Sequence, residues 1–224
     1  MNYLRTVRHH LAKDLRLEWR SRDAIAGMLF FSLLVVVLFS FAFDPTAAVS
    51  RQIAGGILWV AMLFASVTAL NQTWTRELRN HVLDAQRLVP APASALLMGK
   101  TLANFLLVTA IQVVLAPLFI IFYNLHALGQ AWLLLIILPL GTWALVMNGT
   151  FFAALGLRTR NRELLLPLVL FPISIPALLA MVQATTGVLL GDPDPILWMK
   201  LLAGYCIIFT TVCILMFETV LAAE

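Results

Sequence analysis

Charge is what this sequence has least of. Only 12% of its 224 residues are Asp, Glu, Lys or Arg, about half the ~25% usual in globular chains. Together with 62% hydrophobic residues and a mean hydropathy of +0.94, that excludes an ordinary soluble domain. Cysteine is also scarce. Cys206 and Cys213 lie seven apart, on one face of a helix, where a disulfide between them is geometrically impossible; they read as packing residues. Long polar segments are missing too, so 1–224 reads as a single membrane domain. No basic run interleaved with aromatics accompanies the net charge of +4, and nucleic acid is not indicated. There is no His/Cys/Glu cluster at metal spacing, no nucleophile beside a base and no carboxylate pair inside an apolar stretch. No catalytic residue is indicated. The first apolar stretch follows 23 residues and is too long for a signal-peptide core, so it reads as an uncleaved span.

What the chain has is six long apolar stretches, at about 24–43, 53–73, 101–123, 132–156, 164–190 and 197–220. Each is near or above the ~20 residues a helix needs to cross a bilayer. If residues 1–23 face the cytoplasm, Arg5, Arg8, Lys13, Arg16, Arg20, Arg22, Arg76, Arg79, Arg87, Lys100, Arg158, Arg160 and Arg162 lie inside. Only Arg51 and Lys200 lie outside. A division of 13 to 2 places both termini in the cytoplasm by the positive-inside rule. The fold class is therefore all-α integral membrane, with six transmembrane helices.

Residues 1–23 read as an interfacial helix. Leu4, Val7, Leu11, Leu15 and Trp19 recur at helical spacing, while Arg5, His9, Lys13, Arg16 and Arg20 populate another side, as a helix near anionic lipid requires. Arg8 and Glu18 fall at the edges of the stripe. Trp19 and Trp74 fall at the inner boundary and Trp132 and Trp198 at the outer one, as an aromatic belt predicts. Trp59 and Trp143 lie inside spans and must pack against neighbouring helices. The outer gaps are short, and Gly191-Asp192-Pro193-Asp194-Pro195 reads as a tight turn.

The longest polar gap, Thr75–Lys100, is cytoplasmic. Residues 76–87 can form a short amphipathic helix that Pro90 and Pro92 stop, and Ser94 can cap the next helix. A short charged helix on the inner face is a natural docking surface for a soluble partner. The fifth span contains Pro167, Pro172 and Pro176, each lacking a backbone donor. At 27 residues it would measure about 40 Å as helix, against a hydrocarbon core of about 30 Å. The expectation is a kinked span followed by a re-entrant turn near Thr185–Leu190. The alternative is a tilted, kinked helix without re-entry.

Met98-Gly99-Lys100-Thr101 resembles the end of a phosphate-binding loop, but Ser94 stands where a Gly is needed and the context is a helix entering the membrane. No ATP site is visible. Glu218 and Lys200 lie near the ends of the last span, close enough to snorkel. Asn104, Gln112, Asn148 and Gln183 are amides within spans, where interhelical hydrogen bonds are their usual use. Of His9, His10, His81 and His126, only His126 faces the outer side on which an external haem could be ligated; a solvated loop residue is the bland alternative.

Three segments together resemble the CcmB family, the membrane subunit of the haem-handling ABC complex of c-type cytochrome maturation. They are Leu29–Pro45 (LFFSLLVVVLFSFAFDP), Gly55–Leu70 (GGILWVAMLFASVTAL) followed by Glu77-Leu78, and Arg158–Leu178 (RTRNRELLLPLVLFPISIPAL). The last is the most specific. The sequence departs from the family pattern at Asn71, where an acidic residue is usual. It departs again at His81-Val82-Leu83-Asp84, where Gly-x-Leu-Glu is usual. The resemblance implies an ABC-2-type permease fold whose inner loop docks a CcmA-like ATPase. CcmC- and CcmD-like membrane proteins would complete the complex, with a CcmE-like haem chaperone on the outer side. Haem would be cargo, ATP would bind the partner, and a homodimer would supply the usual twelve spans. On that reading Glu77, Arg79, Asp84 and Arg87 contact the ATPase, and Arg158, Arg160, Arg162 and Glu163 add to the surface. Two other readings stand beside it: a generic ABC-2 exporter of a lipid, polymer or small amphiphile, and a non-transporting scaffold for the ATPase.

Overall fold

The computed structural model describes residues 3–43, 48–74, 77, 92–123, 125, 130–156, 162–191 and 194–222. Among these it contains helices and no strand. An interfacial helix α1 (Tyr3–Ser21) precedes six spans: α2 (Asp23–Ala42), α3 (Ala48–Thr73), α4 (Ala93–Tyr123), α5 (Leu134–Leu155), α6 (Arg162–Leu190) and α7 (Pro195–Ala222). A single 3-10 turn at Ala131–Leu133 leads into α5. All six spans are long and apolar enough to cross a membrane. The sequence boundaries hold within a few residues, except that α4 begins eight residues before the apolar stretch expected at 101.

The most enclosed span is α3. It packs against α2, α4, α5 and α6, while α5 packs against α4, α6 and α7. The outward faces of α2 and α7 are apolar, with Phe41 85% exposed and Leu215 70%, as lipid-facing helices require. Several hydroxyls inside the spans bond their own helix, as when Ser32 donates to the Met28 carbonyl at 2.6 Å and Ser66 to Met62 at 2.7 Å, so these cost little in an apolar bundle.

Small residues let the backbones approach. Trp59 on α3 is fully buried, and its ring lies where a Cβ on Gly141 of α5 would sit, 2.3 Å from Cη2. Its Nε1–H donates to Thr185 Oγ1 at 2.9 Å, which ties α3 to α6. Trp143 donates to Thr210 at 3.0 Å and meets Phe105 edge-on. Trp132 is exposed at the outer boundary. Trp74, expected in the inner aromatic belt, is instead 2% exposed and donates to the Thr150 carbonyl at 3.0 Å. It faces the bundle because that carbonyl and the Phe217 ring offer its indole both a polar and an apolar partner.

The re-entrant turn expected near Thr185–Leu190 is not formed. Helix α6 continues unbroken through Leu190 despite three internal prolines. Thr185 stays helical, donating to the Met181 carbonyl at 2.7 Å while accepting from Trp59. Near the prolines, Tyr205 Oη donates to the Ile173 carbonyl at 2.9 Å, which ties α7 to α6. The chain reverses at Gly191, whose φ of 75° is a left-handed conformation that glycine adopts without steric cost.

Candidate functional site

The charged residues that enter the bundle meet at its inner end. Lys100, two turns into α4, is 1% exposed. Its ammonium lies 2.9 Å from Glu77 Oε1 and 3.2 Å from Asp14 Oδ2, donates to the Thr73 carbonyl at 3.4 Å, and sits 4.6 Å above the Trp74 ring. Lys13 of α1 pairs with Asp14 at 3.1 Å and with Glu77. Two cations and two carboxylates thus join α1, the inner end of α3 and α4. The isolated burial of any one of these charges would be costly; paired and hydrogen-bonded, they are tolerated.

The backbone explains the meeting. Gly99 lets α1 lie directly on α4: a Cβ there would fall 2.6 Å from His10 Cβ and 3.0 Å from the Val7 carbonyl. The inward face of α1 accordingly carries Thr6, Val7 and Glu18, all buried. Glu18, at the edge of the expected apolar stripe, turns inward. Its Oε1 accepts from the Ala24 amide at 2.8 Å and from Ile25 at 3.4 Å. These are orphan donors in the first turn of α2, whose own flanking residue Arg22 supplies no side-chain cap. Arg22 instead takes φ 59° and turns the chain between the two helices in one residue.

Burial alone would push the Glu77 carboxyl up. The Lys100 ammonium and then the hydrogen bond from Lys13 overcome that and hold it below its usual range. Burial would likewise lower Lys13, yet Asp14 and Glu77 outweigh it and raise the amine. His10, half-buried beside the junction, is lowered by burial and then by the Lys13 and Lys100 charges. The second Glu77 oxygen has no partner among the described residues. A cavity of about 50 Å³ adjoins it, lined by the polar Asp14, Glu18, Gln72, Thr73, Glu77 and Asn104 and by the apolar Leu17, Ala24, Ala69, Ala103 and Leu107; its size would hold a few water molecules.

Above the junction the span amides are mostly committed to other helices. Asn104 donates to Thr150 at 3.2 Å and accepts from Thr73 at 3.1 Å. Gln112 accepts from Thr142 at 3.1 Å, and Asn148 donates to Tyr205 at 2.7 Å. Gln183 points outward from α6, and Lys200 and Glu218 are exposed near the two ends of α7. Among the described residues no group of three His, Cys, Asp or Glu is placed to hold a metal ion.

Of the residues expected to face an ATPase, only Glu77 is fully described, and it is 5% exposed. Its carboxylate is committed to Lys13 and Lys100 rather than presented on the surface. Arg162 and Glu163 open α6, but their side chains lie outside the described residues, as do Arg79, Asp84, Arg87, Arg158, Arg160 and His126. The residues that sequence reasoning passed over are Lys13, Asp14, Glu18 and Lys100. A signal existed: Asp14 and Glu18 are the two acids of α1 and stand four apart, on one face, so they mark a side of that helix different from its arginines.

A six-span helical bundle with an interfacial helix locked to its inner end by buried ion pairs defines a multi-pass membrane protein. The family model described as CcmB protein matches residues 5–223. The chain belongs to the CcmB family. It is similar to heme exporter protein B of Rhodobacter capsulatus, 35% identical over 173 residues, which cover 77% of this chain and 79% of that one. The protein of the same description from Pseudomonas aeruginosa is 31% identical over 202 residues, 89% of this chain and 90% of the other. That from Paracoccus denitrificans is 34% identical over 185 residues, 82% and 84% respectively. The chain is a multi-pass protein of the bacterial inner membrane.

Proposed function

We propose that this chain is the permease subunit of a haem-handling ABC complex for c-type cytochrome maturation. It carries no catalysis of its own and couples ATP hydrolysis by a CcmA-like partner to haem delivery or to release of the haem-loaded chaperone CcmE. CcmC- and CcmD-like membrane proteins complete the assembly. The observation that supports coupling is the junction itself. Glu77 opens the inner loop on which an ATPase would dock, and its carboxylate is held by Lys100 of α4 and Lys13 of α1. A displacement of that loop therefore pulls on two helices at once. The docking surface proper falls to the loop residues beyond it, Arg79, Asp84 and Arg87, with Arg158, Arg160, Arg162 and Glu163 beside them.

The test is co-purification of the tagged chain with the ATPase in mild detergent, followed by a haem absorption scan of the complex. Reversing Asp84 and Arg87 together (Asp84→Arg, Arg87→Glu) abolishes co-purification while the chain stays monodisperse. Normal assembly of that variant would remove the docking assignment. An ATPase bound without haem would favour a generic exporter.

A second reading, a scaffold through which nothing passes, draws support from the amides. Asn104 and Asn148, which could have lined a path, are used up in interhelical bonds. Haem flux into vesicles containing the purified complex would exclude it.

A further inference from the structure

Helix α1 presents three faces, one against the bundle, one apolar and one basic. Successive residues turn by about 100°, so the buried face through Thr6, Val7 and Glu18 is followed by an outward stripe. In that stripe Leu4 is 78% and Trp19 73% exposed. The next sector holds His9, Arg16 and Arg20, all exposed. Arg8 projects between the directions of Leu4 and Trp19, inside the apolar stripe. Along the boundary runs a shallow, open groove between side chains of α1 itself, lined by Arg8, His9, Lys13, Arg16 and Arg20 together with Ala12 and Leu17. Ala12 is one turn from both Arg8 and Arg16 and contributes only a methyl group, leaving space between two guanidinium groups.

We propose that this groove binds the phosphate of an anionic phospholipid headgroup. Lys13 is committed to Asp14 and Glu77, whereas Arg8, Arg16 and Arg20 make no ion pair among the described residues, so three full positive charges remain for a ligand. Guanidinium forks match phosphate oxygens in geometry as well as charge. The choice of lipid over an acidic soluble partner rests on Arg8 and its neighbours. A guanidinium set between exposed Leu4 and Trp19 reaches polar atoms by extending to the headgroup layer while its stem stays in apolar surroundings. The adjoining apolar stripe then lies against the acyl chains of the same lipid. The groove also abuts the ion-paired junction through Lys13, so the bound headgroup stands one side chain away from Glu77.

The test is native mass spectrometry of the full chain in detergent with added phosphatidylglycerol, phosphatidylcholine or inorganic phosphate. Phosphatidylglycerol stays bound and phosphatidylcholine does not. In Arg8→Gln/Arg16→Gln/Arg20→Gln, retention of phosphatidylglycerol falls on the order of 100-fold, as the loss of three cations near an anionic surface implies. The corresponding triple Lys variant, which keeps the charge, retains most of it. Lys200→Gln at the opposite end of the bundle leaves it unchanged. An unaltered circular dichroism spectrum and elution volume separate loss of the site from loss of the fold. Equal retention of the two lipids, wild-type retention by the Gln variant, or displacement of the lipid by millimolar inorganic phosphate would each overturn the proposal.

Discussion

Replacing Lys100 with Met removes one charge from a junction that balances two cations, Lys13 and Lys100, against two carboxylates, Asp14 and Glu77. Met fills nearly the same volume, so packing is conserved and the cost is electrostatic. Breaking a buried pair by removing one partner typically costs about 3–5 kcal/mol. Here the Asp14 side chain is 18% exposed, so water shares its charge, and Lys13 still serves Glu77. The 6%-exposed Glu77 side chain then carries most of the penalty, and about 3 kcal/mol is expected. Glu77→Leu leaves the opposite imbalance and costs about 2–3 kcal/mol by the same reasoning. The double variant restores neutrality, with Lys13 facing Asp14. It is therefore less destabilised than the sum of the two singles by at least about 2 kcal/mol. Unfolding of the purified chain in mixed micelles, titrated with a denaturing detergent and followed by tryptophan fluorescence, gives all four corners of the cycle. A Lys100→Met cost below about 1 kcal/mol, or additive singles, would show that the junction does not hold the inner end together.

Acid weakens the same site. Glu77 is held below its ordinary 4.5, so its contribution is complete above that value and is lost as pH falls through the lower, folded-state value; Glu77→Gln flattens the acid limb of a stability-against-pH curve. Glu18→Ala frees two first-turn amides of α2 and costs about 0.5–2 kcal/mol, read in the same micelle titration. Gly141→Ala drives a methyl into a Trp59 ring that Thr185 fixes and costs about 1–3 kcal/mol. Gly204→Ala, whose Cβ meets nothing within 4 Å, is neutral or stabilising by up to about 1 kcal/mol.

The spans and their number were legible in the sequence because hydropathy alone sets them. Tertiary partnership was not legible. Trp74 read as a boundary anchor because a tryptophan at a helix end fits either an interface or a bundle, and only the Thr150 carbonyl across from it decides. The three prolines of α6 read as a break because each removes a donor, yet the remaining ladder carries the helix through Leu190. Lys100 read as a cytoplasmic cation because its partners Asp14 and Glu77 are 86 and 23 residues away in the chain. The apparent surface role of Glu77 followed from the same blindness: polarity marks a residue as able to meet water, not as meeting it.

A single residue, Arg22, separates the interfacial helix from the first span, and Glu18 reaches across that joint to hold the amides of Ala24 and Ile25. The two helices are therefore welded into one bent rod rather than hinged. A push from the cytoplasm on the α1 arm has no slack in which to dissipate. It becomes torque on α2, whose far end lies across the membrane. On the coupling proposed above, a displacement of α1 would reach α2 through one left-handed residue and one carboxylate.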